Sequence, residues 1–267
     1  MFAASKFYRC LLIVVLPLTL QAEDAHPLNA ARRAELRKQF TAEVERLTEA
    51  IQKNPEQIEL YSRRGDARFF LGQSAEALAD YEAMVKRNPQ LDAGHWRRGI
   101  AYFYAGKFEQ AAGQFERYHT FDDVDRENGI WRYLSQFKAY GKQRARQGLL
   151  KYKKDDREPF PDVYRLFAGS ITGADVLKRI ESADVDQRER EKRRFYAELY
   201  IGLNDFVEGR LKSSQRHLSR AAKNTWAQQA GFGPNYMWHV GRLQYNLGQT
   251  KSRSHKDRDG RTKANPQ

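Results

Sequence analysis

Six histidines, one cysteine and several neighbouring carboxylates and arginines are the residues of this 267-residue chain with the means to do chemistry. Histidine can bind a metal or move a proton near neutral pH. None of His26, His95, His119, His217, His239 and His255 has a second histidine four residues on, and no HExxH occurs. Cys10 is alone, which excludes an internal disulfide and any paired-cysteine metal site. Neither a Gly-x-Ser-x-Gly elbow nor a GxxxxGK[ST] phosphate loop is present. Asp122/Asp123 and Asp155/Asp156 fall at expected loops or helix ends, where the positive end of the next helix accounts for them. Arg63/Arg64 and Arg97/Arg98 have two readings. Each pair could grip a carboxylate in bidentate fashion, or lay its stems on the protein and keep its heads wet. No catalytic residue, metal ligand set or cofactor follows from these residues, and binding is the expectation.

The elements that would position them come from an internal repeat. Segment 58–91 matches segment 92–125 at a shift of 34 residues, with Arg63 on Arg97, Gly65 on Gly99, Phe69 on Phe103, Gly72 on Gly106, Ala77 on Ala111 and Tyr81 on Phe115. Gly65 and Gly99 fall in mid-helix, where glycine costs about 1 kcal/mol relative to alanine. A neighbouring helix approaching closely is the expected compensation. Gly72 and Gly106, seven residues later, mark where a first helix stops and turns. Ala77 and Ala111 leave room for paired helices to cross, Tyr81 and Phe115 fill the space between units, and Pro89 ends a second helix.

The flanks carry weaker versions. Leu36, Phe40, Val44, Leu47 and Ile51 keep one apolar face and predict a long helix over 29–53. Trp131, Tyr133, Leu134 and Phe137 predict another, with further helices at 145–152, 163–170 and 174–180 and a charged linker at 151–161. A helical pair is expected at 195–203 and 211–222, joined by a loop around 205–209 longer than the repeat allows. Gly241 and Gly248 repeat the seven-residue spacing inside a C-terminal capping helix, and 249–267 is polar, basic and expected to be disordered.

Small residue, aromatic, glycine, alanine, aromatic and proline at 34-residue spacing resembles the tetratricopeptide (TPR) repeat. The fold class expected is therefore all-α, a TPR-type solenoid of antiparallel helix pairs with degenerate flanking repeats, covering 23–250. RRGIAYFYAGKFEQA (97–111), IWRYLSQFK (130–138), FAGSITGADVLKRI (167–180) and FYAELYIGLND (195–205) follow one another as in the NlpI-like TPR lipoproteins of the bacterial envelope. That resemblance covers roughly residues 35–248. It implies a helical adaptor whose groove docks proteases or wall hydrolases, often as a homodimer. The chain departs from the family in lacking a lipobox cysteine and in its strong basic charge, so lipid anchoring is not implied.

By repeat position the groove takes Ser62, Arg63, Asp66 and Phe69 from one unit and Trp96, Arg97, Ile100 and Phe103 from the next, with Trp238 and Arg242 at the equivalent places on the capping helix. Trp96 is the natural hot spot of such a face. Packing against the N-terminal helix or the returning C-terminal segment is its other reading.

Lys6 and Arg9 precede an apolar run from Leu11 to Leu20, the layout of a secretory signal cleaved after Ala22 or retained as an interfacial anchor. The run is too short to span a bilayer, which takes roughly 20 apolar residues. A periplasmic or extracellular, unanchored protein is expected. The formal charge is +13, and without Lys6 and Arg9 it is 45 basic against 34 acidic residues. Such a surface draws acidic peptides or an anionic envelope surface; an exported chain is not expected to meet nucleic acid.

Overall fold

Side-chain caps and glycines in the left-handed region divide the chain into helices. The computed structural model describes residues 26–154 and 156–262, with side chains as far as Gln249. The segment assigned to the signal lies outside the described residues. Asn29 accepts from the Arg32 amide and starts α1 (Ala30–Lys53). Next come α2 (Ile58–Phe70) with α3 (Ser74–Arg87), then α4 (Trp96–Tyr104) with α5 (Phe108–Phe121), separated by a 3-10 turn at Pro89–Leu91. The middle holds α6 (Arg126–Tyr140), α7 (Lys142–Gln147), α8 (Phe160–Ala168) and α9 (Gly173–Ser182). The chain closes with α10 (Gln187–Val207), α11 (Leu211–Lys223), α12 (Thr225–Gln229) and α13 (Phe232–Thr262). The described residues contain no strand, and neighbouring helices pack as pairs, so the fold is an all-α helix-pair solenoid. Among the described residues no helix is long and apolar enough to cross a membrane.

The repeat positions act as their spacing requires. A Cβ on Gly65 would sit 2.6 Å from the Tyr81 ring, and one on Gly99 would sit 2.6 Å from the Phe115 ring. Only a bare backbone lets these helices approach. Gly72 and Gly106 turn at φ 82° and 77°, and Ala77 and Ala111 are fully buried at the crossings.

A third pair of this construction is α10 with α11. Gly202 meets Leu218 where Gly65 meets Tyr81, Gly209 turns at φ 80° seven residues later, and Ser214 stands at the alanine position. The Ser214 hydroxyl donates to the Gly202 carbonyl at 2.8 Å, so the polar substitute is satisfied inside the crossing.

Several expectations need correction. The connection between α10 and α11 is short, because α10 continues to Val207 and Gly209 turns the chain at once. The helix expected at 145–152 is instead α7, which starts after Gly141 (φ 88°) and stops at Gly148. Gly148 lies against the end of the Gln136 side chain. Gly248 does not end the last helix: α13 runs through it to Thr262, over backbone expected to be disordered. Extending a packed helix fixes one residue per added hydrogen bond, and Gly248–Thr262 contains no proline to stop it.

Candidate functional site

The returning C-terminal helix occupies the face assigned to the groove. Tyr236 of α13 stacks on Phe69 at 5.2 Å between ring centroids and meets Trp96 edge-on at 4.9 Å. His239, one turn further, stacks on Phe70 at 3.9 Å and meets Phe40 of α1 at 5.2 Å. On its other side α13 packs against α11: the Trp238 indole donates to the Ala222 carbonyl at 2.9 Å. Phe69, Ile100, Phe103 and Trp238 are therefore core residues, each at most 5% exposed. Arg242 is buried beside them, donating to His239 Nδ1 and to the Phe70 carbonyl, and burial lowers its pKa to about 10. Of the groove set only Ser62, Arg63, Trp96 and Arg97 retain appreciable exposure.

Arg64, Arg97 and Arg98 are taken up inside the protein, while Arg63 pairs at the surface. Arg63 reaches Glu43 of α1 at 2.7 Å, Arg64 and Arg68 share buried Asp80, and Arg98 binds Asp92 and Gln114. Arg97 donates to both oxygens of Asp66 at 2.7 and 2.8 Å, while the Tyr81 hydroxyl donates to the same carboxylate at 2.7 Å. Burial pushes the Asp66 carboxyl upward against the pull of Arg97. Arg64, Arg97 and Arg98 are therefore not free carboxylate clamps.

Four of the histidines, His26, His95, His217 and His239, also have structural partners. His26 bonds Asn246 at 2.7 Å. His95 caps α4 by accepting from the Arg98 amide, and burial with Arg97 and Arg98 nearby pulls its pKa down to about 3. His217 faces Glu198 at 2.5 Å. Burial, with Arg242 beside it, also holds His239 well below the usual range. Among the described residues no group of three potential metal ligands comes together.

What α13 leaves open is a cavity of about 290 Å³ where α4, α6, α10 and the start of α13 meet. Trp96 and Ile100 of α4, Trp131 of α6 and Met237 of α13 give it an apolar side. The opposite wall is charged. Asp125 caps α6 by accepting from the Glu127 amide, and its other oxygen accepts from Asn128. Glu127 accepts from Arg157 at 2.7 Å and from the Tyr200 hydroxyl. Arg157 also faces Asp125 at 3.4 Å and Asp156 at 3.2 Å, so three carboxylates share one guanidinium. Asp156 meanwhile accepts from the Arg126 amide, closing the 148–159 segment over the start of α6. Burial pushes Asp125 up and Glu127 up to about 7, with Arg157 pulling the other way. Such a wall stabilises positive charge.

Of the groove set, the structure brings only Trp96 and Ile100 into this cavity. Asp125, Glu127, Asn128 and Arg157 are absent from the sequence reading, where 151–161 is a linker. Asp125 before Arg126-Glu127-Asn128 is a legible helix start, but nothing local joins it to a residue 32 positions away. Both family models of proteins and the curated proteins were compared with the chain, and neither comparison gave a match.

Proposed function

We propose that this chain is an exported, non-catalytic adaptor of the tetratricopeptide-repeat kind that holds a segment of a partner protein at the cavity between α4, α6 and α13. The observation that carries this is the cavity's border. Phe232 is 56% exposed and lies 6.3 Å from the Trp96 ring; Phe121 is 67% exposed and lies 5.5 Å from Tyr118, another lining residue. Bare aromatic side chains around a recess anchor protein interfaces. The 34-residue repeat supports the TPR assignment, and Lys6, Arg9 and the Leu11–Leu20 run support export to the periplasm or beyond. The family resemblance points to envelope proteases or wall hydrolases as partners. Both Glu127 oxygens already accept hydrogen bonds, from Arg157 and from Tyr200.

The test is affinity capture from an envelope extract on residues 23–267, washed at low and high salt, with Trp96→Ala and Phe232→Ser in parallel. Proteins kept at high salt by the wild type and lost from both helical variants are the expected result. Capture that vanishes with salt, or needs only residues 249–267, replaces this proposal with charge-driven attachment to an anionic wall polymer or membrane surface. Attraction between exposed charges is screened beyond about 8 Å at physiological ionic strength.

A further inference from the structure

We infer that a second cavity, between α1, the end of α2 and α13, binds a small organic di- or tricarboxylate on Arg33, Arg37 and Arg242. It is separate from the recess described above and does not depend on the adaptor proposal.

Charge is the first reason. Arg33 and Arg37 of α1 and Arg242 of α13 line this cavity, and its lining holds no acidic residue among the described residues. Arg33 donates to the Leu28 carbonyl at 2.6 Å, a neutral acceptor. Arg37 is exposed and has no carboxylate partner among the described residues. The two stand one turn apart on α1, a spacing at which like charges destabilise a helix. Arg32 beside them is paired with Glu35, but neither of those lines the cavity.

Burial is the second reason. Arg242 is 8% exposed, and its hydrogen bonds go to neutral acceptors, His239 Nδ1 at 2.7 Å and the Phe70 carbonyl at 2.5 Å. Where Arg64, Arg97 and Arg98 go inside, each takes a carboxylate with it. Arg242 has none among the described residues, and Arg32 adds like-charge repulsion to the desolvation that lowers its pKa. A buried charge without a counter-ion is costly. Two bonds leave three of its five N–H groups without an acceptor among the described residues. Its Nη1, unlike that of Arg126, is not sealed inside the protein. A carboxylate takes two such N–H groups at once, in the fork geometry arginine favours. Phe70 is the last residue of α2, so Arg242 also caps that helix. Capping occupies one N–H and gives no role to Arg33 or Arg37.

Shape sets the class of anion. The volume, about 340 Å³, falls within the range of ligand cavities, about 300 to 1,000 Å³. Leu36, Phe70 and Leu243 line it too, so the occupant has a carbon body as well as a charged head. Three cations without an acid favour more than one negative charge on that body. Bound there, it bridges α1 to α13 and favours the folded state over the unfolded one.

The purified protein is titrated by calorimetry with succinate and with tricarballylate at physiological ionic strength. Butyrate, neutral succinamide and inorganic phosphate are the controls, and thermal unfolding is followed in parallel. The expected result is saturable binding of a polycarboxylate at least about tenfold tighter than butyrate or phosphate, with a raised Tm. Arg37→Gln is expected to weaken binding several-fold while leaving the Tm of the free protein unchanged, and Arg242→Met to abolish binding. Should Arg242→Met unfold through loss of the cap, Arg33→Gln and Arg37→Gln still decide the matter. Phosphate binding as tightly as the polycarboxylates overturns the carboxylate class. Equal weak binding of every anion, unchanged in the variants, is general screening and overturns the site. Glu23 and Asp24 closely precede the lining residue His26 in the chain. Binding seen only after Glu23→Gln with Asp24→Asn makes the chain's own carboxylates the occupant and overturns the external ligand. No binding with or without that change overturns the assignment altogether.

Discussion

Gly65 and Gly99 carry opposing pressures that a single methyl group can separate. Alanine in mid-helix is worth about 1 kcal/mol over glycine. At Gly65 that methyl would sit 2.6 Å from the ring of Tyr81, which is fully buried and has nowhere to retreat. Overpacking of this sort costs about 1–3 kcal/mol. Gly65→Ala is therefore expected to lose up to about 2 kcal/mol net in urea denaturation. Gly113, whose nearest neighbour would be the mobile end of Arg117 at 3.7 Å, is expected to gain up to about 1 kcal/mol on the same change. At Glu127 the pressure is electrostatic. Burial raises its pKa from 4.5 to about 7, so between those values the folded state holds a proton that the unfolded state does not. Its contribution is fully present below about pH 4.5 and is lost as pH rises through about 7. Measured across pH, the unfolding free energy of wild type minus Glu127→Gln is expected to decline over this window and stay flat outside it. A flat difference throughout would show that Glu127 is not held in a desolvated site.

Among the elements, α13 does most to set the character of the molecule. It lies between the faces of α2 and α4 on one side and α11 on the other, with Tyr236 at the middle of the contact. Tyr236 is fully buried, stacks on Phe69, meets Trp96 and approaches the Tyr81 hydroxyl at 3.4 Å. Removing a buried aromatic side chain costs about 3–5 kcal/mol, and Tyr236→Ala is expected to lose that much. A loss below about 1 kcal/mol would mean that α13 is not packed there. The third pair, α10 with α11, shows how an element can follow the repeat while its letters change. Gly202, Gly209 and Leu218 keep the offsets of Gly65, Gly72 and Tyr81. The aromatic has become leucine and the alanine has become Ser214, so the chemistry that marks the pattern is thinned although its geometry survives.

At the scale of the whole molecule, the same helix decides how the chain unfolds. Repeats in an open array touch only their neighbours and can open one at a time. Here α13 ties α2 to α11, which are far apart in the chain. A single cooperative transition is therefore expected, with far-UV circular dichroism and tryptophan fluorescence coinciding; separated transitions would show that α10–α11 melts by itself. What the sequence alone determined is local. Helix pairs, their turns at Gly72 and Gly106, and their close approach at Gly65 and Gly99 are set by residues a few turns apart, whose spacing reflects the helical period. Where the last helix comes to rest was beyond such reasoning. The apolar faces of α2 and α4 are equally suited to a foreign peptide or to the chain's own Tyr236 and His239, since burial rewards either occupant alike. Only the tertiary structure chose between them. The same return of the chain brought Met237 to Trp96 and Ile100, while the packing of the 148–159 segment on α6 placed Arg157 beside Asp125 and Glu127. The cavity exists because of contacts between distant segments, and periodicity along a sequence does not record them.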